Sequence, residues 1–241
     1  MKKTYLFSII TILTVWTGLS LYVDNILILP SIFDVTICLF EILKDPNTYI
    51  SVAYTLFRLT LGISVSFFLA LFLAILSYRY EKIKEFIYPF VLILKTIPTV
   101  SIIVLALIWF GREGTINIIV SLIVFPILYS NMLFGFKHID QAILDELRLL
   151  PGSYFDKLRM AYLPLIKHQI LESLKTTVSL GFKVSIMAEL LSQIRTGIGR
   201  EIYFSKINIL TDHIFAWTVI IIFVTWVLDK SLILLTNYLD D

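Results

Sequence analysis

Stretches of about 20 residues without a charge, the length a bilayer core requires, recur along the chain between short charged segments. Fully uncharged runs occupy Thr4–Val23, Leu59–Tyr78 and Gly114–Phe136. With the apolar segments that continue the pattern, six membrane-spanning helices are predicted: Tyr5–Val23, Ile50–Ser77, Phe86–Phe110, Ile116–Phe136, Leu171–Leu191 and Ile214–Leu235. The third is interrupted at Lys95-Thr96-Ile97-Pro98 and the fourth is kinked at Pro126. Proline is tolerated in a span where neighbours or a cavity satisfy the carbonyls it frees. Gly111–Thr115 reads as a short outer turn and Tyr78–Glu85 as a charged one. The first run is long for a signal h-region and lacks a small-x-small cleavage site, so it is expected to stay as a span. Between the first two spans, Ser31-x-x-Asp34 has the form of an N-terminal cap, Ile32, Val35, Leu39 and Ile42 make an apolar stripe, and Asp45-Pro46 ends it. That segment is too short to span and is expected to lie at the outer interface.

The longest polar interruption is Asp140–Pro164, DQAILDELRLLPGSYFDKLRMAYLP. Ile143, Leu147 and Leu150 recur at helical spacing until Pro151-Gly152 stops the run. Ser153-x-x-Asp156 then restarts a helix with a carboxylate in its first turn, where it opposes the helix dipole. Phe155, Leu158, Tyr162 and Leu165 are expected to line one face, and Leu163-Pro164 to close the unit.

Composition agrees with a membrane protein: 58% of the 241 residues are hydrophobic and the mean hydropathy is +0.89. The net charge of +2 is spread between spans, which argues against a nucleic-acid partner. The bulk of the basic residues, among them Lys82, Lys84, Lys157 and Arg159, fall on the side that holds the N-terminus; Lys44, Arg112, Arg195, Arg200 and Lys206 fall on the other. The bias is roughly two to one and puts the N-terminus in the cytoplasm. A single cysteine, Cys38, excludes an internal disulfide and reads as a small buried apolar residue. His138, His168 and His213 have no ligand spacing, so no metal site is expected, and no Gly-x-x-x-x-Gly-Lys-Ser/Thr is present to bind nucleotide. No catalytic constellation is visible.

Arg58, Lys95, Lys183 and Glu189 lie within or at the edge of spans, where a charge costs roughly 2.5–3.5 kcal/mol at the bilayer centre. They are expected to face a cavity or a partner, and with Pro98 they are the candidate pathway residues. Lys183 and Glu189 are six apart and do not share a helical face. A stand-alone ion-coupled transporter or channel is the alternative function, but it needs acids inside the spans, and Glu189 is the one this reading finds.

Four segments carry a resemblance to the permeases of binding-protein-dependent ABC transporters, in particular the nitrate, sulfonate and taurine branch. Asp145-Glu146-Leu147, Pro151-Gly152-Ser153 and Leu163-Pro164 resemble the start, turn and end of that family's EAA loop. Asp145, Leu147 and Pro151 depart from the family's Glu, Ala and Gly. Leu29-Pro30-Ser31 with Tyr54–Leu59 and Gly62, Lys95–Pro98 with Trp109-Phe110-Gly111, and Ala188-Glu189 with Gly197-x-Gly199 are similar to the other three segments, in the family's order. Taken alone, Gly197-x-Gly199 is a weak phosphate-cradling pattern, since no strand precedes it. The resemblance implies an all-α, single-domain, multi-pass permease with the MetI-like type I importer fold, in a bacterial inner membrane and among its lipids. It implies a homodimer, an extracytoplasmic binding protein, and a cytoplasmic ATPase partner that binds the ATP, so this chain carries no cofactor and is not itself an enzyme. The coupling surface would be the loop 140–167, through Asp145, Glu146, Gly152, Ser153, Phe155, Leu158, Leu163 and Pro164. The solute would be a small anion or a vitamin precursor.

Overall fold

The computed structural model describes residues 2–149 and 151–240, and its regular elements are all helices. Leu150, used in the loop periodicity above, lies outside the described residues. The elements are α1 (Lys2–Val23), α2 (Ile32–Lys44), α3 (Pro46–Arg79), α4 (Glu81–Thr96), α5 (Thr99–Lys137), α6 (Gln141–Leu149), α7 (Tyr154–Lys157), a π turn (Leu158–Tyr162), α8 (Leu163–Leu165), α9 (Lys167–Ser192), α10 (Ile198–Ile207) and α11 (Thr211–Asp240).

Local chemistry sets the first boundaries. Ser31 caps α2 in a capping box, its hydroxyl accepting from the Asp34 N–H at 3.1 Å while Asp34 accepts from the Ser31 N–H at 3.2 Å. Asp45 then ends α2 and begins α3, its carboxylate accepting from the Asn47 N–H at 2.9 Å with Pro46 at the first helical position. At 13 residues, α2 is only about 20 Å long and cannot cross a bilayer.

Among the described residues, α3, α5 and the Thr211–Leu234 part of α11 are long and apolar enough by themselves to cross a membrane, and α1 contributes the shorter apolar stretch Phe7–Val23. Helix α9 has the length, but its inner face carries Ser173, Thr177, Ser185, Glu189 and Ser192, all buried. The expected outer turn Gly111–Thr115 contracts to a single residue. Only Gly111 leaves the helical conformation, at φ 69° and ψ −175°, a region open to glycine at little steric cost. The chain reverses there: the Thr115 hydroxyl reaches the Ala106 carbonyl at 3.0 Å and Lys95 Nζ reaches Ser130 Oγ at 2.8 Å. Along a straight helix Lys95 and Ser130 would be roughly 50 Å apart. Thr115 also bonds the Gly111 carbonyl, so no further residue has to unwind.

The core is formed by α3, both arms of α5, and α9, around Phe136, Phe182, Ile103, Ile116, Leu128 and Met132. Gly62 lets α3 and α5 approach closely, because a Cβ there would meet Val120 at 2.7 Å. Ser66 and Ser121 bond across the same contact to the Ser121 and Gly62 carbonyls at 2.6 and 3.0 Å. Small residues and serine bridges are what hold helices together where lipid removes the hydrophobic driving force.

Candidate functional site

Two regions concentrate the candidate side chains, one at the α9–α10 end of the bundle and one in the polar loop. In the first, Glu189 on α9 is 0% exposed. One carboxylate oxygen accepts from Arg58 at 3.0 Å; the other lies 2.9 Å from the Thr55 hydroxyl and accepts from the Gly199 N–H at 3.0 Å. Arg58 also donates to the Thr196 carbonyl at 2.6 Å and to Glu113 at 3.1 Å, and stacks on Tyr54 at 5.5 Å. Thr55 in turn accepts from the Ile198 N–H at 3.0 Å. The sequence-predicted Arg58 and Glu189 are thus brought together from α3 and α9, and a buried charge that is paired and fully hydrogen-bonded is the tolerable kind.

The Gly-x-Gly pattern gains a physical role here. Gly197 precedes α10 at φ 146° and offers no side-chain cap. The first-turn N–H of Gly199 is satisfied by a carboxylate from another helix, at the positive end of the α10 dipole. A Cβ at Gly197 would lie 2.6 Å from a Glu189 oxygen, and one at Gly199 would lie 2.5 Å from the Ile186 carbonyl and 2.6 Å from the Leu190 nitrogen. The cradle does hold an anion, and the anion is the chain's own. Gly199→Ala is therefore expected to push α10 off α9. Overpacking of this kind costs about 1–3 kcal/mol, read as a fall in the melting midpoint of the detergent-solubilised protein by about 2–4 °C per kcal/mol. An unchanged midpoint would show that α9 and α10 are not packed that closely at Gly199.

In the loop, the break and the second cap lie where the pattern predicts. Gly152 has φ 125°, and the Ser153 hydroxyl accepts from the Asp156 N–H at 3.2 Å while Asp156 accepts from the Ser153 N–H at 3.1 Å. Those bonds hold the Asp156 carboxyl below its ordinary range. The apolar stripe divides between the core and the surface. Leu158 is 8% exposed and packs in the core, but Phe155 is 70% exposed, in a turn whose residues 151–156 are all exposed. Leu165 also remains exposed. The end of the unit is corrected: Pro164 sits inside a helical turn, and the break comes at Ile166, where φ is −97° and ψ is 4°. The π turn makes room for the proline. The Leu163 N–H bonds back five residues to the Leu158 carbonyl, so the helix has already left the i−4 register that a proline would break.

The loop is fastened to the spans by aromatic contacts. Tyr162 packs edge-on against Tyr78 of α3 at 6.0 Å, and Tyr78 stacks on Phe136 of α5 at 5.4 Å. Arg79 lies over the Tyr154 ring at 5.5 Å. Tyr78, Arg79, Gly152, Tyr154, Lys157 and Tyr162 border a cavity of about 500 Å³ there. Asp145 and Glu146 are exposed on α6, and Leu163 is half-buried.

The remaining candidates are dispersed. Lys95 and Pro98 are exposed near the α4–α5 break, with Lys95 bonded to Ser130, and Lys183 is exposed on α9. Sequence reasoning missed Asp229, a second acid inside a span, which accepts a hydrogen bond from Ser179 of α9. The signal was available, since Asp229 lies well inside the apolar stretch assigned as the last span. At the other end of the bundle, Glu41, Asp45, Ser51, Arg195, Arg200 and His213 border a second cavity of about 500 Å³, with the Thr196 end of the Arg58 network among its walls.

Comparison with known proteins adds an independent finding. Residues 62–241 match the family described as binding-protein-dependent transport system inner membrane component. The chain is similar to an ABC transporter permease protein of Methanocaldococcus jannaschii, 25% identical over 94% of this chain and 85% of that one. It is also similar to a Bacillus subtilis protein named as an aliphatic sulfonates transport permease, 22% identical over 87% of this chain and 76% of the other. A trimethylamine N-oxide transport system permease of Pelagibacter ubique is 19% identical over 64% of this chain and 22% of its own length.

Proposed function

Because the chain belongs to the binding-protein-dependent transport system inner membrane component family, and so is an ABC-type transport permease rather than an enzyme, we propose that it forms the translocation pathway of an importer driven by a separate ATPase. In this reading the helices make six crossings with the N-terminus in the cytoplasm, and two copies of the chain flank the pathway. The family's dependence on a binding protein makes an extracytoplasmic partner part of the assembly. The solute is a small oxyanion or sulfonate, or a vitamin precursor. Similarity to the Bacillus subtilis sulfonate permease supports the sulfonate class.

The observation that carries the coupling role is the exposed apolar tip of the loop. Phe155, Met160 and Leu149 are turned outward on a segment whose Leu158 is buried and whose Tyr162 touches α3. An exposed aromatic on a capped, anchored helix fits a pocket on a partner. The anchoring contacts would carry a displacement of that tip into the spans, with Asp145, Glu146, Gly152, Ser153, Leu163 and Pro164 shaping the lever.

The test is a mild-detergent pull-down of the tagged full chain followed by mass spectrometry and by ATP-dependent uptake in vesicles. Recovery of a P-loop ATPase near equal stoichiometry, with uptake that needs ATP, is the expected outcome. A chain that purifies alone and transports without ATP would replace this reading with the ion-coupled one.

A further inference from the structure

Cys38 of α2 is far in sequence from the adjacent pair Asp212 and His213 in the first turn of α11. The fold brings their donor atoms together: the thiol sulfur, a carboxylate oxygen and a ring nitrogen all lie within 4.8 Å of one another. We infer that these three side chains form a binding site for one transition-metal dication of the zinc class. Thiolate, imidazole and carboxylate are the zinc ligand set, at about 2.0–2.3 Å from the ion, so two ligands of a tetrahedral ion are roughly 3.3–3.8 Å apart. Closing from the present spacing takes side-chain movements of about 1.5 Å at most. On binding, the thiol loses its proton to solvent and the sulfur becomes the ligand.

The surroundings suit a cation. Cys38 is 3% exposed, and the Asp212 carboxylate lies beside its buried sulfur. Glu41 and His213 border the same cavity, which leaves a fourth position open to water. The backbone around the ligands is already held. The Thr211 hydroxyl donates to the Leu27 carbonyl at 2.6 Å, Trp16 Nε1 donates to the Pro30 carbonyl at 3.0 Å, and Trp16 packs on Phe215 at 5.2 Å. A bound ion would clip the interfacial helix α2 to the last span at the edge of the α10 cavity. This inference does not depend on which solute is carried.

The full chain, purified in detergent without a polyhistidine tag, is loaded with Zn²⁺, dialysed against metal-free buffer and assayed by elemental mass spectrometry. About one zinc per chain is expected for a site of this type. Cys38→Ser and His213→Gln should each lose it. Loading with Co²⁺ instead should give a near-ultraviolet thiolate-to-cobalt band that Cys38→Ser abolishes. Asp212→Asn, at a half-exposed position, gives the same reading should the buried cysteine variant fail to fold. A parent protein that retains no zinc, or folded variants that retain as much as the parent, would overturn the site and leave Cys38 as a packing residue.

Discussion

Replacing Phe155 by glutamate is expected to stop ATP-driven uptake while leaving the chain inserted and folded. Its ring is 70% exposed and makes no contribution to the core, so the substitution removes nothing that the fold rests on. If the tip docks in an ATPase pocket, an aromatic anchor of this kind contributes about 2 kcal/mol or more to association, or roughly a 30-fold loss of affinity. Leu158→Ala provides the contrast. That side chain is buried, and its truncation costs about 2–5 kcal/mol, so it should lower the melting midpoint as well as uptake. The pair separates docking from anchoring: midpoint by fluorescence-detected size exclusion, coupling by uptake in vesicles with the partners present. Normal uptake in Phe155→Glu would sink the loop assignment, whatever the result at Leu158.

Arg58→Met is expected to produce the largest loss of stability of any single change. It leaves Glu189 buried with no countercharge, and breaking a buried pair by removing one partner costs about 3–5 kcal/mol, a large part of the 5–15 kcal/mol typical of a folded domain. The double variant Arg58→Met, Glu189→Gln should recover much of that loss. The glutamine amide oxygen can still accept from Gly199, whose N–H bond is 3.0 Å long, and no unpaired charge remains. Glu189→Gln alone should fall between, because Arg58 retains the Thr196 carbonyl and Glu113. The ordering of melting midpoints in detergent tests the account; a double variant no better than Arg58→Met would show that the charge pair is not what matters there. Uptake by folded double variants then asks a separate question, whether the pair has a role in transport beyond holding α3, α9 and α10 together.

Much of the loop was legible because its determinants lie within a few residues of one another. Ser153 and Asp156 are three apart, Pro151 and Gly152 are adjacent, and the same holds for Ser31 and Asp34 at the start of α2. Where the reading went astray, the cause was geometric. A regular helix was assumed through Leu158–Tyr162, yet a π turn runs there, and it carries Pro164 past the expected stop. Spacing puts Phe155 and Leu158 on one apolar face, but it carries no information about where the bundle ends, and so does not tell that Leu158 is buried while Phe155 is exposed. The outer turn at Gly111 was found but drawn too long, since the bonds from Thr115 that shorten it depend on the chain folding back.

From the sequence alone came the apolar runs, the polar loop with its break and caps, and the four segments in family order. Those together specify an all-helical membrane permease, a conclusion that the family match supports. The tertiary structure decided which charge meets which. Glu189 finds Arg58 across 131 residues of sequence, Asp229 finds Ser179 across 50, and Cys38 meets His213 from the opposite end of the chain. Membrane helices that are apolar on nearly every side leave little period in the sequence to fix their rotation. Packing sets that rotation instead, through small residues such as Gly62 and Gly199, and only then do the buried polar side chains acquire their partners.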